Sequence, residues 1–397
     1  MVKIRDLTEL TVTDLWKEVK SEEEWWGDIN ERILGMVKTI LESSLESELL
    51  EQLQASPYQR TEIRRGYRNG YYERDLYSQY GVIKALRIPR SRDGFVTQIV
   101  PRYQRNLVRV NQMVRNIFLA GVSTRRVGEV LSNLWEREVS AQTVSRICQS
   151  LDREVLAYHR RTLRDNYRYL FFDGISIKVK GATRVHKKQI LVAYGITLEG
   201  KKEIIEFRQS TAESANQWEA LLRDLYQRGL LGQSCRLIAT DGCPGLHQAL
   251  EVVYPYIPKQ RCWAHKLRNV ANRIRRKDQT VCLAAAKKIY MAGNKREAVK
   301  VFKNWKERWL ENYPEAIKCL EKDLDELLNF LDCPSSHRVK IRTTNVIERS
   351  FREVRRRTRT ISCFTNGASV DRIIFGVISH LNKSWKDKPI LKFTQLS

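Results

Sequence analysis

Apolar positions repeat along this chain with two different periods, and the changes of period divide it. Over residues 1–55 the stripe Ile33, Leu34, Val37, Ile40, Leu41 and Leu45 falls at helical spacing. From 56 to 105 the pattern changes. Arg and Tyr intermingle through RRGYRNGYYERDLYSQYGVIKALRIPRSRDG, and the turn signals Asn69-Gly70 and Asp93-Gly94 flank the strand-like run VIKALRI. This predicts a small β-hairpin module with a basic, aromatic face, although an ordinary surface hairpin would carry the same signals.

Residues 106–160 are expected to be helical. VRVNQMVRNIFLAG stops at Gly121, STRRVGEVLSNLW begins at a candidate cap, Ser123, and SAQTVSRICQSL begins at another, Ser140. Two short helices with a tight connection resemble a helix-turn-helix, whose second helix would present Gln142, Thr143 and Arg146 to a major groove. Short helical triplets also occur in proteins that never meet DNA.

From residue 167 the period becomes that of strands. YRYLFFDGISIKVK, KQILVAYGITLEG and KEIIEFRQS predict an antiparallel meander. A helix follows, with Trp218, Leu221, Leu222 and Leu225 on one face between Ser214 and Gly229, and then the compact apolar run CRLIATDG. Three antiparallel strands, a helix and a further strand are the opening order of an RNase H-like α/β fold. Residues 263–337 are helical by period, with no strand run between them. The expected α/β architecture is therefore an RNase H-like domain over 161–262 and 338–397, interrupted by an all-helical insertion at 263–337. A mainly helical region containing the hairpin module precedes it.

Charge changes this picture from fold to partner. The chain of 397 residues carries 71 Lys and Arg against 46 Asp and Glu, a formal net charge of +25. Self-repulsion on that scale is relieved by a polyanion, which makes nucleic acid the expected partner. No apolar run approaches the roughly 20 residues needed to span a bilayer, and the N-terminal segment lacks a signal-peptide core. A cytoplasmic location without membrane contact is expected. The eight scattered cysteines fit a reducing compartment better than a disulfide framework.

Three acids stand out. Asp173 interrupts an apolar strand after Leu170, Phe171 and Phe172, where a carboxylate is costly to bury unless it meets something cationic; alternatively, Asp173-Gly174 is a strand-end turn. Asp241 closes the run Leu237-Ile238-Ala239 at the carboxyl end of a strand, the edge where ligands collect in open α/β sheets. Glu348 lies in RVKIRTTNVIERSFREVRRRTRT. There Ile347, Phe351 and Val354 would form a buried stripe, and Glu348 would head a neighbouring row of Arg352, Arg355 and Arg359. An exposed Glu348–Arg352 pair would be worth only about 0.2–0.5 kcal/mol, but no helix requires nine basic residues between Arg338 and Arg359. A metal ligand followed by phosphate clamps would use them.

RNGYYERDL, RIPRSRDG, PRYQR, FFDGISIKV, the Glu213-Ser214 to Leu230 run, TDGCPGLHQAL, RCWAHKLRNV and TTNVIERSFREVRRRTRT occur in this order along the chain. Over essentially its whole length the sequence resembles the Mutator-type transposases of bacterial insertion sequences. The resemblance implies an RNase H-like catalytic domain with an Asp-Asp-Glu triad, which position by position is Asp173, Asp241 and Glu348. Ile257 departs from the pattern, since a small residue is expected there. The implied activity is cleavage at element ends and strand transfer into target DNA. Two Mg²⁺ ions, with Mn²⁺ able to substitute, would be held by the three acids. Joining two DNA ends calls for a homo-oligomer.

Cys262 and His265 form a Cys-x2-His pair that the family shares, expected near the active site in contact with DNA or orienting a carboxylate, unless both merely pack. With Cys333 and His337 they would formally complete a Cys2His2 zinc set, against which stand the long insertion between the pairs and the lack of a knuckle. Glu213 is either an additional acid for the site or part of a helix cap, and His247 is expected to pack or lie at the surface. Two rival readings share parts of this pattern: a non-catalytic DNA-binding regulator, and an RNase H-like nuclease that cuts without joining.

Overall fold

The computed structural model describes residues 22–101, 107–120, 122–135, 138–180, 185–358, 364 and 366–394. They form two compact units, Met1–Phe118 with Ser123–Cys148, and Leu119–Val122 with Gln149–Ser397. No helix among them is long and apolar enough to cross a membrane, and the seven described cysteines are all free.

The first unit contains α1 (Glu22–Leu53), the hairpin of β1 (Arg68–Ser78) and β2 (Gly81–Ser91), the helix α3 (Thr124–Trp135), and all but the last residue of the helices α2 (Val108–Leu119) and α4 (Ala141–Gln149). One core joins α1 to the hairpin: Leu45 packs with Leu76, Ile83, Leu86, Ile88 and Val100. The buried stripe of α1 continues to Leu49 and Leu53, whereas Ile40 is 62% exposed and lies off it. The hairpin forms where its composition placed it, but Asn69-Gly70 is not its turn. Ser78 pairs directly with Gly81, and Asn69-Gly70 sits at an irregularity of β1, with Gly70 at φ +69°. A bulge uses the freedom of glycine as well as a turn does. The Ser78 hydroxyl closes the actual turn by donating to Gly81 O at 2.8 Å and accepting from Tyr80 N–H at 3.1 Å. Trp135 fastens α3 to the hairpin through an indole bond to Ser78 O at 3.1 Å.

Helices α3 and α4 begin at Ser123 and Ser140, whose hydroxyls accept from Arg126 N–H and Thr143 N–H at 3.3 and 3.2 Å. The segment entering α4 runs so close to Gly128 that a Cβ there would sit 2.4 Å from Val139 O. Only glycine permits that approach. Gln142, Thr143 and Arg146 are exposed on α4, and Val144 and Cys148 are buried behind them.

The second unit opens with α5 (Leu151–Arg160) and is built on a mixed sheet of order β5-β4-β3-β6-β7. β3 (Tyr167–Lys180), β4 (Val185–Thr197) and β5 (Lys202–Ser210) form the expected antiparallel meander. β6 (Leu237–Thr240) and β7 (Lys259–Arg261) add in parallel beyond β3. β7, only three residues long and polar, carries no periodic signal. Helices α6 (Ala215–Gln227) and α7 (Pro244–Val253) share a core with the sheet made by Leu170, Phe172, Leu191, Trp218, Leu222 and Leu246. Ile257 belongs to this core, and a Cβ at Gly232 would stand 2.6 Å from its Cδ1.

Residues 263–341 contain helices and short 3-10 turns only: α8 (Trp263–Ala271), α9 (Arg276–Lys287), α10 (Lys295–Trp309), α11 (Pro314–Glu321), α12 (Leu324–Leu328) and α13 (Ser335–Ile341). Pro314 breaks the long helical pattern by starting a new helix at its first turn. The strand edge is bonded to these helices: the Trp263 indole donates to Leu327 O at 2.7 Å, and Phe330 N–H donates to Gln260 Oε1 at 2.8 Å. Lys266 meets Asp323 in a buried ion pair. The chain returns through α14 (Asn345–Thr358), α15 (Gly367–Trp385) and α16 (Leu391–Thr394), with α15 packed on β5 and α5.

One buried charge ties α5, β5 and α6 together. Glu206 on β5 is fully buried and meets Arg228 at 2.5 Å and His159 at 2.6 Å. Burial alone would raise its pKa, but the hydrogen bond and charge of His159, with Arg228, outweigh burial and hold it below the usual glutamate range. Stability from this cluster is present above the unfolded pKa and is lost as pH falls through the folded one. Arg228→Met should therefore destabilise the second unit by about 3–5 kcal/mol in urea denaturation at neutral pH, with the deficit shrinking in acid. An unchanged midpoint would refute this role for the pair.

Candidate active site

Asp173 is not at a strand end. β3 runs through it, pairing Asp173 with Val192 and Gly174 with Leu191, so the turn reading of Asp173-Gly174 is excluded. Alternation turns Phe172 toward Trp218 on the α6 side and Asp173 to the opposite face. Asp173 is 6% exposed, and one carboxylate oxygen accepts from Gly174 N–H at 2.8 Å. Next door, β6 ends at Thr240, paired with Phe172, so Asp241 emerges at the carboxyl end of the strand beside Asp173. Its Oδ1 accepts from Cys243 N–H at 2.9 Å, which shapes the entry to α7.

Helix α14 brings in the third acid. Ile347, Phe351 and Val354 are its buried stripe, as the spacing predicts. Glu348, on the flank, meets His265 Nε2 at 3.5 Å and Arg268 at 3.9 Å. Arg352 and Arg355 are exposed further along the same helix, while Arg359 lies outside the described residues.

The electrostatics join these parts. Burial, and then repulsion from Asp241, push the Asp173 carboxyl up to about 7, opposed by the His265 charge and by hydrogen bonds at Gly174 and Thr344. His265 is raised to about 9, chiefly by hydrogen bonding to Cys262 and then by the charges of Cys262, Asp173 and Asp241, against the effect of burial. Burial would raise the Cys262 thiol, but its hydrogen bonds with His265 and Thr344 hold it low. An imidazolium thus stands among three carboxylates. Glu213 is a fourth acid: burial and Asp241 raise its pKa, and it lies so close to Gly174 that a Cβ there would sit 2.2 Å from its Oε1. Ser214, beside it, makes no side-chain cap bond, so Glu213 faces the acids and does not serve a capping box.

The formal Cys2His2 set does not assemble. His337 bonds to the Tyr169 hydroxyl at 2.8 Å and stacks on Phe393 at 4.1 Å, while Cys262 Sγ accepts from Thr344 N–H at 3.3 Å. His247 meets Glu326 at 2.9 Å, in a network with Arg261 and Asp323. Thr344 and Arg268 are site neighbours that the sequence reading missed. Thr344 presents itself only as the residue before a helix, whereas Arg268 stands three after His265, a spacing that puts both on one helix face.

Among the described residues no three His, Cys, Asp or Glu side chains are close enough to share one ion as arranged. The donors nevertheless suit a hard cation. Two carboxylates lie side by side, one of them buried and driven toward protonation, with the buried Thr344 hydroxyl and His265 beside them. Mg²⁺ commonly takes one or two carboxylates and completes its shell with water and phosphate.

A mixed sheet with a buried Asp173 beside an arginine-bearing helix, on a chain of net charge +25, makes this a basic α/β protein suited to a polyanion. The model of the transposase family termed Mutator matches residues 8–388. The chain belongs to that family, and its function is transposition. It is 32% identical over 357 residues to the transposase for insertion sequence element IS905 of Lactococcus lactis subsp. lactis (strain IL1403), covering 89% of this chain and 90% of the relative. It is 33% identical over 366 residues to the transposase for insertion sequence element IS256 in transposon Tn4001 of Staphylococcus aureus, covering 90% and 91%. A further relative, the transposase for insertion sequence element IS406 of Burkholderia multivorans (strain ATCC 17616 / 249), is 33% identical over 337 residues, covering 84% and 86%.

The raised Asp173 pKa has a consequence for stability. The folded state holds a proton that the unfolded chain releases near pH 4, so stability is lost as pH rises through about 7. In chelator, Asp173→Asn should be more stable than wild type at pH 8, by about 1–3 kcal/mol, and should lose that advantage near pH 4. A gap that is the same at both pH values would contradict this.

Proposed function

We propose that the second unit is an RNase H-like catalytic domain that cuts DNA at the ends of an insertion sequence and joins the freed ends to target DNA. Asp173, Asp241 and Glu348 are its acids. The carrying observation is the burial of Asp173 against Asp241, which leaves a carboxylate pair in need of positive charge. The sheet order β5-β4-β3-β6-β7, with three antiparallel strands followed by parallel ones, supports the fold assignment.

Two Mg²⁺ ions held by these acids, with Mn²⁺ able to substitute, would supply an activated attacking oxygen and neutralise charge on the leaving one. The chain's own residues hold the geometry. His265 bears a proton at neutral pH, balances the aspartates and holds Glu348 at the edge of the site. Arg352 and Arg355, with Arg359 beyond the described residues, clamp phosphates. In the first step a water oxygen attacks phosphorus and the element's 3′ oxygen leaves as a hydroxyl. In the second, that hydroxyl attacks a target phosphorus, and the target's own 3′ oxygen leaves. The exposed Gln142, Thr143 and Arg146 of α4 read element-end sequence, and a homo-oligomer brings two ends together.

Cleavage and joining of labelled end DNA with Mg²⁺ test this reading. Asp241→Ala and Glu348→Gln should retain DNA binding and lose both steps by more than about a hundredfold, as expected when several kcal/mol of transition-state stabilisation is removed. Variants as active as wild type would overturn the triad, and cutting without joining would make the protein a nuclease. Separately, Arg146→Ala should reduce the preference for end over random DNA by about 1–3 kcal/mol in competition gel shifts. A uniform loss on both DNAs would instead make Arg146 a backbone contact.

A further inference from the structure

Beside the acids, on the next face of α8 and α14, lies a cleft of about 750 Å³. Lys202, Lys287, Lys340, Arg342 and Arg349 line it, and no acidic residue does. They come from the start of β5 (Lys202), the end of α9 (Lys287), the end of α13 and the residue that caps it (Lys340 and Arg342) and α14 (Arg349), so five cations from four segments converge. None of the five is ion-paired to a described carboxylate. Elsewhere on this unit Arg228, Arg261 and Lys266 are all paired.

The cleft walls are aromatic where the cations need support. Arg342 stacks over Tyr290 at 4.2 Å and Lys202 lies over Trp385 at 5.3 Å. Both have lowered pKa values, Arg342 through burial, and Lys202 through burial and then the charges of Lys340 and Lys388. Holding like charges together without a counter-anion costs stability, and the arrangement makes sense when an anion is bound. The site is continuous with the catalytic helices. Arg349 follows Glu348 directly, about 100° further round α14, and Trp263, Ala264 and Leu267 of α8 line the cleft while His265 and Arg268 of the same helix meet Glu348.

We infer that this cleft binds backbone phosphates of a DNA strand running past the catalytic acids on the adjacent face of α8 and α14. The cations would neutralise phosphates without reading bases, since contacts to the phosphate backbone carry no sequence information. The inference builds on the transposase reading for the identity of the polyanion. The strand is either the element end beyond its cut or the target duplex, and the backbone chemistry is shared.

The test uses the full chain with Lys287, Lys340 and Arg349, all exposed, each changed to alanine. A control removes Arg296, Lys300 and Lys303, exposed on α10, in the same way. The readout is the salt dependence of affinity for a random duplex. Each lost phosphate contact lowers the slope of log K against log salt by about 0.9, so the cleft variant should fall by about 2–3 and the control by much less. An unchanged slope, or an equal fall in the control, overturns the inference. Loss of joining with cleavage retained would assign the cleft to target DNA, and loss of both would assign it to the element end; either supports it. Since binding is measured without Mg²⁺, failure of wild type to cut would sink the catalytic reading while leaving the slopes to decide the cleft.

Discussion

The placement of one carboxylate in the middle of a continuous strand governs how the second unit is built. Asp173 cannot leave the sheet, because Phe172 before it is locked in the core against Trp218. It must therefore be accommodated by whatever surrounds it. Glycine at 174 lets Glu213 approach, β6 ends early enough to release Asp241 alongside, and α8 delivers His265. The connection between α13 and α14 contributes Thr344, whose burial places its hydroxyl against the acids. His265 and Thr344 offset the desolvation of this charge, whereas the neighbouring Asp241 adds to its cost, and together these groups draw four elements onto one point.

Charge is treated in two opposite ways across the unit. Buried anions outside the site are matched closely: Glu206 by Arg228 and His159, and Asp323 by Lys266 and Arg261. These pairs hold elements in place and leave nothing unsatisfied for a ligand. Around α8 and α14 the matching stops. Carboxylates crowd around the single His265 on one face, and on the next stand cations with no ion-pair partner among the described residues. Unbalanced charge of both signs on adjacent faces of two helices is what the proposed DNA chemistry would use, with cations at the acids and backbone phosphate at the cleft.

Much of this was legible in periodicity. The meander, the α6 face with Trp218 and Leu222, and the α14 stripe of Ile347, Phe351 and Val354 follow from alternation of period 2 or 3.6, which reports directly which side chains are desolvated. The Asp241 strand end was legible for the same reason, because an apolar run stops there. Local signals were weaker where one residue type serves several geometries. Asn69-Gly70 became a bulge, Asp173-Gly174 stayed in a strand, and Ile40 left the α1 stripe for solvent. The three polar residues of β7 had no period to report.

By itself, then, the sequence specified the elements, the net positive charge and the three candidate acids, since these depend on residue type and spacing along the chain. Tertiary structure alone decided which groups share an environment. His265 stands between the aspartates and Glu348, Cys333 and His337 turn instead to Tyr169 and Phe393, and five distant cations converge on a single cleft. Burial and Coulomb interaction act through space over a few ångströms, and sequence separation carries no information about that distance once the chain has folded.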